Sequence, residues 1–246
     1  STARYGRPDS RMKLHALAIG AHPDDVELSM SGTLIKMATL GYRTGVVDLV
    51  RGELGSRGTL EIRSREAKSA AAIMGLKARE NLNLKDGEVF DTPTARLKVV
   101  RALRKYRPEL VFTHYWDDRH PDHAYTSRIV TQACYLSGLA KIRTRQERFR
   151  PRKIFYFSLP HTVQASFYVD VSAYFQKKMD AIRSFKSQLF NPSSLEPRTY
   201  LSVPQFLPEL ERLNRYYGSL IHREYAEAFL SKEAIAIEDP ITFFAG

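Results

Sequence analysis

The sequence predicts an α/β fold in which a mostly parallel, doubly wound sheet of Rossmann-like type is flanked by helices. Short apolar runs alternate with longer segments of helical spacing, and glycine or proline separates most of them. Strands that alternate with helices favour a parallel sheet with right-handed crossovers. Because the 246 residues suffice for one large core, we expect a single domain over residues 12–246, preceded by a disordered tail at 1–11.

The first two strand–helix units lie between residues 14 and 74. The run "LHALAIG" at 14–20 is typical of a buried parallel strand, and helical spacing follows from Glu27 to Leu40. The run "TGVVDLV" at 44–50 repeats the strand pattern. A glycine-rich loop then leads to an alanine-rich helix from Thr59 to Met74.

Two further units continue the alternation. A short strand is expected from Glu80 to Leu84, and Thr92 followed by proline predicts the start of a helix that runs to Tyr106. The run "ELVFTHY" at 109–115 predicts a fourth buried strand, and a helix is expected from His123 to Leu139.

The remainder of the chain is less regular. The runs "KIFYFSL" (153–159) and "SFYVDVS" (166–172) predict two strands, and a helix is expected from Ala173 to Phe185. A loop with proline and serine at 190–204 precedes a long amphipathic helix, which we expect from Pro208 to Phe229.

Charge and composition narrow the function only in part. Lys and Arg number 38 against 27 Asp and Glu, and the net charge of +11 suits an anionic substrate, a nucleic acid or an acidic surface equally well. The basic residues are scattered, as on a solvated surface, and no RNA-type aromatic signature or zinc-finger spacing accompanies them, so we expect no nucleic-acid partner. The lone Cys134 excludes an internal disulfide, and no apolar run approaches the roughly 18 residues of a membrane span, so a cytoplasmic protein without a membrane partner is expected.

The densest polar clusters follow the first and fourth predicted strands. They are "AHPDD" at 21–25 and "DDRHPDH" at 117–123. Either motif alone is compatible with an ordinary turn, because proline and aspartate favour turns. In doubly wound sheets, however, ligands bind beyond the carboxyl ends of the strands. The two clusters are therefore predicted to meet in one site.

The residue types in these clusters suit a metal ion. We assign His22, Asp25 and His123 as ligands, because two imidazoles and one carboxylate hold either a catalytic zinc with an open position or a non-haem Fe(II). Asp24 then lies beside the metal without being needed as a ligand. It is the candidate general base for a water whose pKa zinc lowers to roughly 7.

Other residues of the two loops are assigned supporting roles. His120 faces the developing oxyanion and is a candidate to protonate the leaving amine, while Asp122 is placed to orient a histidine. His114 is a candidate to support the ligands from outside the coordination sphere. The remaining histidines are expected on the surface or in the core: His15, His161 and His222.

The succession of "AHPDD" and "RHPDH" resembles the zinc-dependent de-N-acetylases of the LmbE and PIG-L type. Longer segments, among them "DLVRGELGSRGT" and "RYYGSLIHREYAEAFLS", resemble the bacterial branch that deacetylates N-acetylglucosaminyl malate in bacillithiol synthesis. The resemblance implies a Rossmann-like sheet, zinc on the three ligands named above, Asp24 as the general base and His120 as the charged electrophile. It also implies a homo-oligomer, often a hexamer.

The resemblance further implies substrate contacts. Arg63 matches an arginine that grips the sugar or its appendage in the family, and Arg119 and Arg57 are candidates to bind the malate carboxylates. The sequence departs from the family pattern at Ser29 and Ser31, where many relatives have glycine. It also places Phe206 where some relatives offer a tyrosine to the oxyanion, and Tyr200 lies nearby.

The sequence therefore predicts zinc-dependent hydrolysis of the acetamide of N-acetylglucosaminyl malate, a small anionic sugar conjugate. Two alternatives stay open. The substrate is another acetylated sugar, such as a chitooligosaccharide or a mycothiol-like conjugate, or the protein is a non-catalytic binder of anions or nucleic acid on the same scaffold.

Overall fold

The computed structural model describes residues 13–157 and 164–244. The expected tail at 1–11, His161 and the last two residues of the predicted strand at 153–159 lie outside the described residues.

Within the described residues, seven strands form one sheet in the order β3-β2-β1-β4-β5-β7-β6. The strands are β1 (Ala16–Gly20), β2 (Thr44–Val50), β3 (Ala78–Leu84), β4 (Leu110–His114), β5 (Lys153–Phe157), β6 (Phe167–Asp170) and β7 (Ala226–Leu230). The helices are α1 (Asp25–Thr39), α2 (Leu60–Met74), α3 (Pro93–Tyr106), α4 (Pro121–Ser137), α5 (Phe175–Arg183), α6 (Phe206–Ser219) and α7 (Pro240–Phe244), with a 3₁₀ turn at Ser172–Tyr174.

The doubly wound α/β prediction is confirmed. β1 to β5 are parallel, and only β7 runs antiparallel, to both β5 and β6. Several ends lie where the local chemistry predicts them. The Thr92 side chain accepts a hydrogen bond from the backbone N–H of Ala95 and starts α3. Helix α1 begins at Asp25, two residues before its predicted start.

The predicted helix from Pro208 to Phe229 is wrong in its second half. Helix α6 ends at Ser219, and the chain turns where the Gly218 carbonyl accepts the N–H of Arg223 at 2.9 Å. The following run "AEAFL" is strand β7, buried on both faces between β5 and β6. The helical spacing of its apolar residues is overridden because β5 and β6 pair with both edges of this segment.

The core has a separate cluster on each face of the sheet, and β1 contributes to both. Leu17 and Ile19 pack on the side of α3 and α4, whereas Ala16 and Ala18 pack on the side of α1 and α5. Since β1 is fully buried and pairs in register with β4, the carboxyl ends of these two strands lie side by side. None of the described helices is long and apolar enough to cross a membrane.

Candidate metal and catalytic site

The polar segments that follow β1 and β4 meet in one pocket, as the sequence predicts. The cavity has a volume of about 460 Å³ at the carboxyl edge of the sheet. Both segments contribute to its wall, together with the turn after β3 and the segment that precedes α6. Among the lining residues are His22, Asp24, Asp25, Arg63, Asp86, Asp118, Arg119, His120, Asp122, His123, Tyr200 and Phe206.

Asp25 lies at the centre of the polar cluster. Its Oδ2 is 3.3 Å from His22 Nδ1 and 3.1 Å from His114 Nε2, and its Oδ1 is 3.2 Å from His123 Nε2. Burial alone would raise the pKa of Asp25, but His123 and His114 hold that pKa well below its ordinary value. The structure thus brings two of the predicted ligands, His22 and His123, into contact with the third, Asp25.

The donor set fits a zinc or ferrous ion. Asp25 lies 3.3 Å from His22 through Oδ2 and 3.2 Å from His123 through Oδ1, so the two histidines contact different oxygens of one carboxylate. His120 lies close as well: one ring nitrogen each of His22, His120 and His123 lie within 4.8 Å of one another. Nitrogen and carboxylate donors of this kind suit zinc or Fe(II).

Asp24 occupies a strained position beside the cluster. Its φ of 114° lies in the left-handed region, and its side chain makes no capping hydrogen bond. Arg63 holds the turn, because its Nη2 donates to the Pro23 carbonyl at 2.7 Å and to Asp24 Oδ2 at 3.4 Å. Burial raises the pKa of Asp24 to about 7, against the opposing effect of Arg63. A carboxyl group with this pKa can exchange protons near neutrality.

His120 is the N-cap residue of α4 and lies at the exposed side of the pocket. Its Nδ1 accepts the backbone N–H of Asp122 at 3.2 Å. The neutral ring therefore carries its proton on Nε2, the nitrogen that does not cap the helix. Burial and the nearby His123 and His22 lower the pKa of His120, which favours this neutral form and not the charged electrophile that the resemblance implies.

Asp122 contacts a histidine, but on the other loop. Its Oδ2 lies 3.4 Å from His22 Nε2 and accepts the backbone N–H of Gly87 at 3.0 Å. Burial would lower the pKa of His22, but Asp122, Asp25 and Asp86 raise it well above its ordinary value. Asp122 therefore links the start of α4 to a metal-ligand candidate that follows β1.

Two aspartates of the site, Asp86 and Asp118, were not predicted from the sequence. Asp86 Oδ1 lies 3.2 Å from His22 Nε2, and Asp118 Oδ2 lies 3.2 Å from His123 Nδ1. Burial would lower the pKa of His123, but Asp25 and Asp118 raise it to about 9. Asp86 follows β3 at the same sheet edge, and Asp118 precedes the histidines of the second motif, so the rule that found the motifs could have found both. Each carboxylate meets the second ring nitrogen of a ligand candidate, an arrangement that fixes ligand orientation.

His114 belongs to the same group. Its ring stacks on that of His123 with centroids 4.0 Å apart, and it is completely buried. Burial, together with the charge on His123, lowers the pKa of His114 to about 4. His114 thus contacts two ligand candidates, as expected for a residue that supports the ligands from outside the coordination sphere.

The predicted substrate arginines separate into two groups. Arg63 and Arg119 line the pocket, and Arg119 stacks on the Tyr200 ring at 4.6 Å. Arg57 does not reach the pocket, so its predicted contact with substrate is wrong. Its buried guanidinium donates to backbone carbonyls of the segment 187–197. Arg57 therefore holds that segment against the glycine-rich loop.

The departures at Ser29 and Ser31 are accommodated inside α1. Ser29 Oγ donates to the Asp25 carbonyl at 2.6 Å, and Ser31 Oγ donates to the Glu27 carbonyl at 2.7 Å. These bonds turn both hydroxyls back onto their own helix. They leave the pocket wall to other side chains, among them Phe206.

Comparison with known proteins finds similarity over most of the chain. The conserved protein TT1542 from Thermus thermophilus has a crystal structure that superposes with a TM-score of 0.83 at 36% identity, over 92% of this chain and 98% of that one. The diacetylchitobiose deacetylase of Thermococcus kodakarensis is 27% identical over 86% of this chain and 80% of its own length. A probable N-acetyl-α-D-glucosaminyl L-malate deacetylase 2 of Bacillus anthracis is 28% identical over 71% and 81%, respectively.

A family profile covers the part of the chain that carries both motifs. Residues 17–134 match PIG-L, described as GlcNAc-PI de-N-acetylase, and this range spans β1 to α4 with both polar loops. The chain therefore contains a PIG-L family domain.

Proposed function

We propose that this chain is a zinc-dependent enzyme that removes the acetyl group from an N-acetylglucosamine conjugate, with N-acetylglucosaminyl malate as the substrate. His22, Asp25 and His123 are the proposed zinc ligands. The observation that carries the proposal is the buried carboxylate of Asp24, which lines the pocket beside that donor cluster, contacts Arg63 and has a pKa near 7.

A zinc ion bound at these ligands would supply a Lewis acid for the acetyl oxygen and lower the pKa of a water molecule. Asp24 accepts a proton from the attacking water and returns it to the leaving sugar amine, so that acetate and a free amine result. The neutral His120 donates its Nε2–H toward the acetyl oxygen as negative charge develops there. Arg63 keeps Asp24 in its strained position. Because Arg63 also lines the pocket, it is the proposed contact to the sugar.

An anionic appendage on the sugar is supported by charge. Arg119 is exposed at the pocket, and its stacking on Tyr200 leaves the edge of the guanidinium available to a carboxylate. The similarity to the malate deacetylase of Bacillus anthracis supports the same substrate. The second candidate is a neutral chitooligosaccharide, which the similarity to the Thermococcus enzyme over most of both chains favours.

The test is acetate release by the zinc-loaded protein from three substrates: N-acetylglucosaminyl malate, diacetylchitobiose and a mycothiol conjugate. We expect the highest kcat/KM with the malate conjugate. Arg119→Gln should raise KM for that substrate about tenfold, the value of one charge-assisted hydrogen bond, and leave KM for neutral diacetylchitobiose unchanged. A preference for diacetylchitobiose would reassign the substrate, and no acetate from any of them would refute the enzyme proposal.

We further propose that the enzyme is a cytoplasmic homo-oligomer, with a hexamer as the expected assembly. The short α7 region supports a subunit contact, because Ile241, Phe243 and Phe244 are each more than 60% exposed (78%, 62% and 73%). Light scattering coupled to size-exclusion chromatography measures the subunit number, and a monomer would refute this assembly.

A further inference from the structure

Helix α1 is not continuous. Met30 has a non-helical φ of −145° and ψ of 16°, which divides the helix into a first segment that starts at Asp25 and a second that runs on to Thr39. The first backbone N–H groups of a helical segment have no acceptor in the preceding turn. The second segment therefore needs hydrogen-bond acceptors from elsewhere in the protein.

Glu227 of β7 supplies these acceptors. Its Oε1 accepts the N–H of Gly32 at 2.9 Å, and its Oε2 accepts the N–H of Thr33 at 2.6 Å. A β-carbon at residue 32 would lie 2.9 Å from Val171 Cβ and 3.0 Å from Glu227 Oε1. Glycine at this position is what permits the close approach.

Lys178 of α5 balances the charge. Its Nζ lies 2.7 Å from Glu227 Oε1, and neither side chain is accessible to solvent. Well-packed apolar residues often stabilise a core as much as a buried ion pair does. Stability alone therefore gives little reason for a charged pair here, whereas two hydrogen bonds to fixed backbone groups define where the second segment begins.

The hydrogen bonds between Glu227 and α1 lie close to the candidate site. The first segment of α1 is little more than one turn long, and it begins at the proposed metal ligand Asp25, with Asp24 as its cap. Leu28 in the same segment lines the pocket. The place of this turn over the sheet edge depends on where the helix behind it is held.

We propose that Glu227, with Lys178 as its counter-ion, is a positioning residue that fixes the break in α1 and so holds Asp24 and Asp25 in place for the metal ion. This inference rests on the proposed function. Neither Glu227 nor Lys178 touches the substrate or the metal ion, and both act through the backbone of α1.

Three variants test the inference: Glu227→Gln, Lys178→Met and the two combined. Zn²⁺ affinity is measured by competition with a chromogenic chelator, beside the thermal midpoint and kcat and KM for acetate release. Each single change leaves one buried charge without a partner and should lower the midpoint by about 10 °C. The combined variant removes both charges and should regain most of this loss. Because an amide can accept only one of the two N–H bonds, its Zn²⁺ affinity should stay about tenfold below wild type and kcat should fall with KM little changed.

Wild-type Zn²⁺ affinity in a folded combined variant would overturn the inference and leave Glu227 a purely structural residue. If the combined variant does not fold, Glu227→Asp, which keeps the charge but retracts the carboxylate, should show the same tenfold loss, and an unchanged affinity would again overturn it. The matched control is the exposed pair Lys153–Glu233, where Lys153→Met with Glu233→Gln should change nothing. Failure of the wild-type protein to bind Zn²⁺ or to release acetate would instead refute the proposed function.

Discussion

The tripeptide His-Pro-Asp occurs in both loops of the site, at 22–24 and at 120–122, and its two copies adopt different structures. In the first copy the helix begins only after the tripeptide, so Asp24 is the cap residue, with a φ of 114° and a side chain that makes no capping hydrogen bond. In the second copy the helix begins at Pro121, so Asp122 lies inside its first turn.

This shift of the helix start gives the two aspartates opposite properties. Burial raises the pKa of Asp24 to about 7. Burial acts in the same direction on Asp122, but the contacts with His22 and the Gly87 N–H lower its pKa below the ordinary value. The same residue in the same tripeptide is suited to accept a proton in one loop and to hold a histidine in the other. The backbone conformation, and not the motif, assigns the role.

The largest expected effect separates the two aspartates directly. Asp24→Asn should lower kcat by about 10²–10⁴-fold, because an amide cannot act as a general base, while bound zinc is retained. The measurement is acetate release together with metal content by mass spectrometry. Loss of the metal, or activity within threefold of wild type, would contradict the assigned difference between the two copies.

The two histidines of the tripeptides should separate next. His120→Ala should lower kcat by about 10²-fold with the zinc still bound, as for the loss of one oxyanion donor. His22→Ala should abolish high-affinity zinc binding, because it removes a proposed ligand. Chelator competition on both variants checks this, and equal zinc affinities would show that His22 is not a ligand.

A smaller effect is expected at Asp122. Asp122→Asn weakens the contact with His22 Nε2 and should lower zinc affinity about tenfold, with a matching loss at Asp86→Asn. The control is Asp117→Asn, at an exposed residue of the same loop; this variant should bind zinc as wild type does. Undiminished affinity in both test variants would remove the proposed orienting role.

The smallest effect concerns stability. In the metal-free protein, Asp24→Gly should have a free energy of unfolding about 1 kcal/mol higher than Asp24→Ala. Both variants lose the carboxylate beside Arg63, but only glycine adopts a φ of 114° without strain. Asp122→Gly should lower the same free energy by about 1 kcal/mol, since it places glycine inside a helix. Urea denaturation in the presence of a chelator measures these free energies, and an Asp24→Gly variant no more stable than Asp24→Ala would show that the backbone there is not strained.

The sequence carried enough information to predict the sheet, most element types and the meeting of the two motifs. Apolar runs such as 44–50 predict strands from the local sequence, and Thr92 predicts the start of α3 because its side chain caps the helix. The rule about strand ends then converts local predictions into a site, because parallel strands place their carboxyl ends on one edge.

What the sequence could not predict depends on contacts between distant residues. β7 has helical spacing and becomes a strand only because β5 and β6 lie on either side of it. Arg57 has the charge expected of a contact to an anionic substrate, but its guanidinium donates to backbone carbonyls more than 100 residues away. At Asp24, the left-handed φ likewise occurs beside a hydrogen bond from the buried Arg63 to the Pro23 carbonyl, a contact that no local pattern encodes.

The position of β7 also affects how the chain acquires its structure during synthesis. Within the described residues, β6 pairs with β7 alone, and β7 also supplies the carboxylate that caps the second segment of α1. A nascent chain that has emerged only as far as α6 therefore has an open edge at β5 and a helix near its beginning that lacks its cap. If Glu227 positions α1 as proposed, the candidate pocket reaches its final form only after residues 226–230 have left the ribosome and entered the sheet between two strands made earlier.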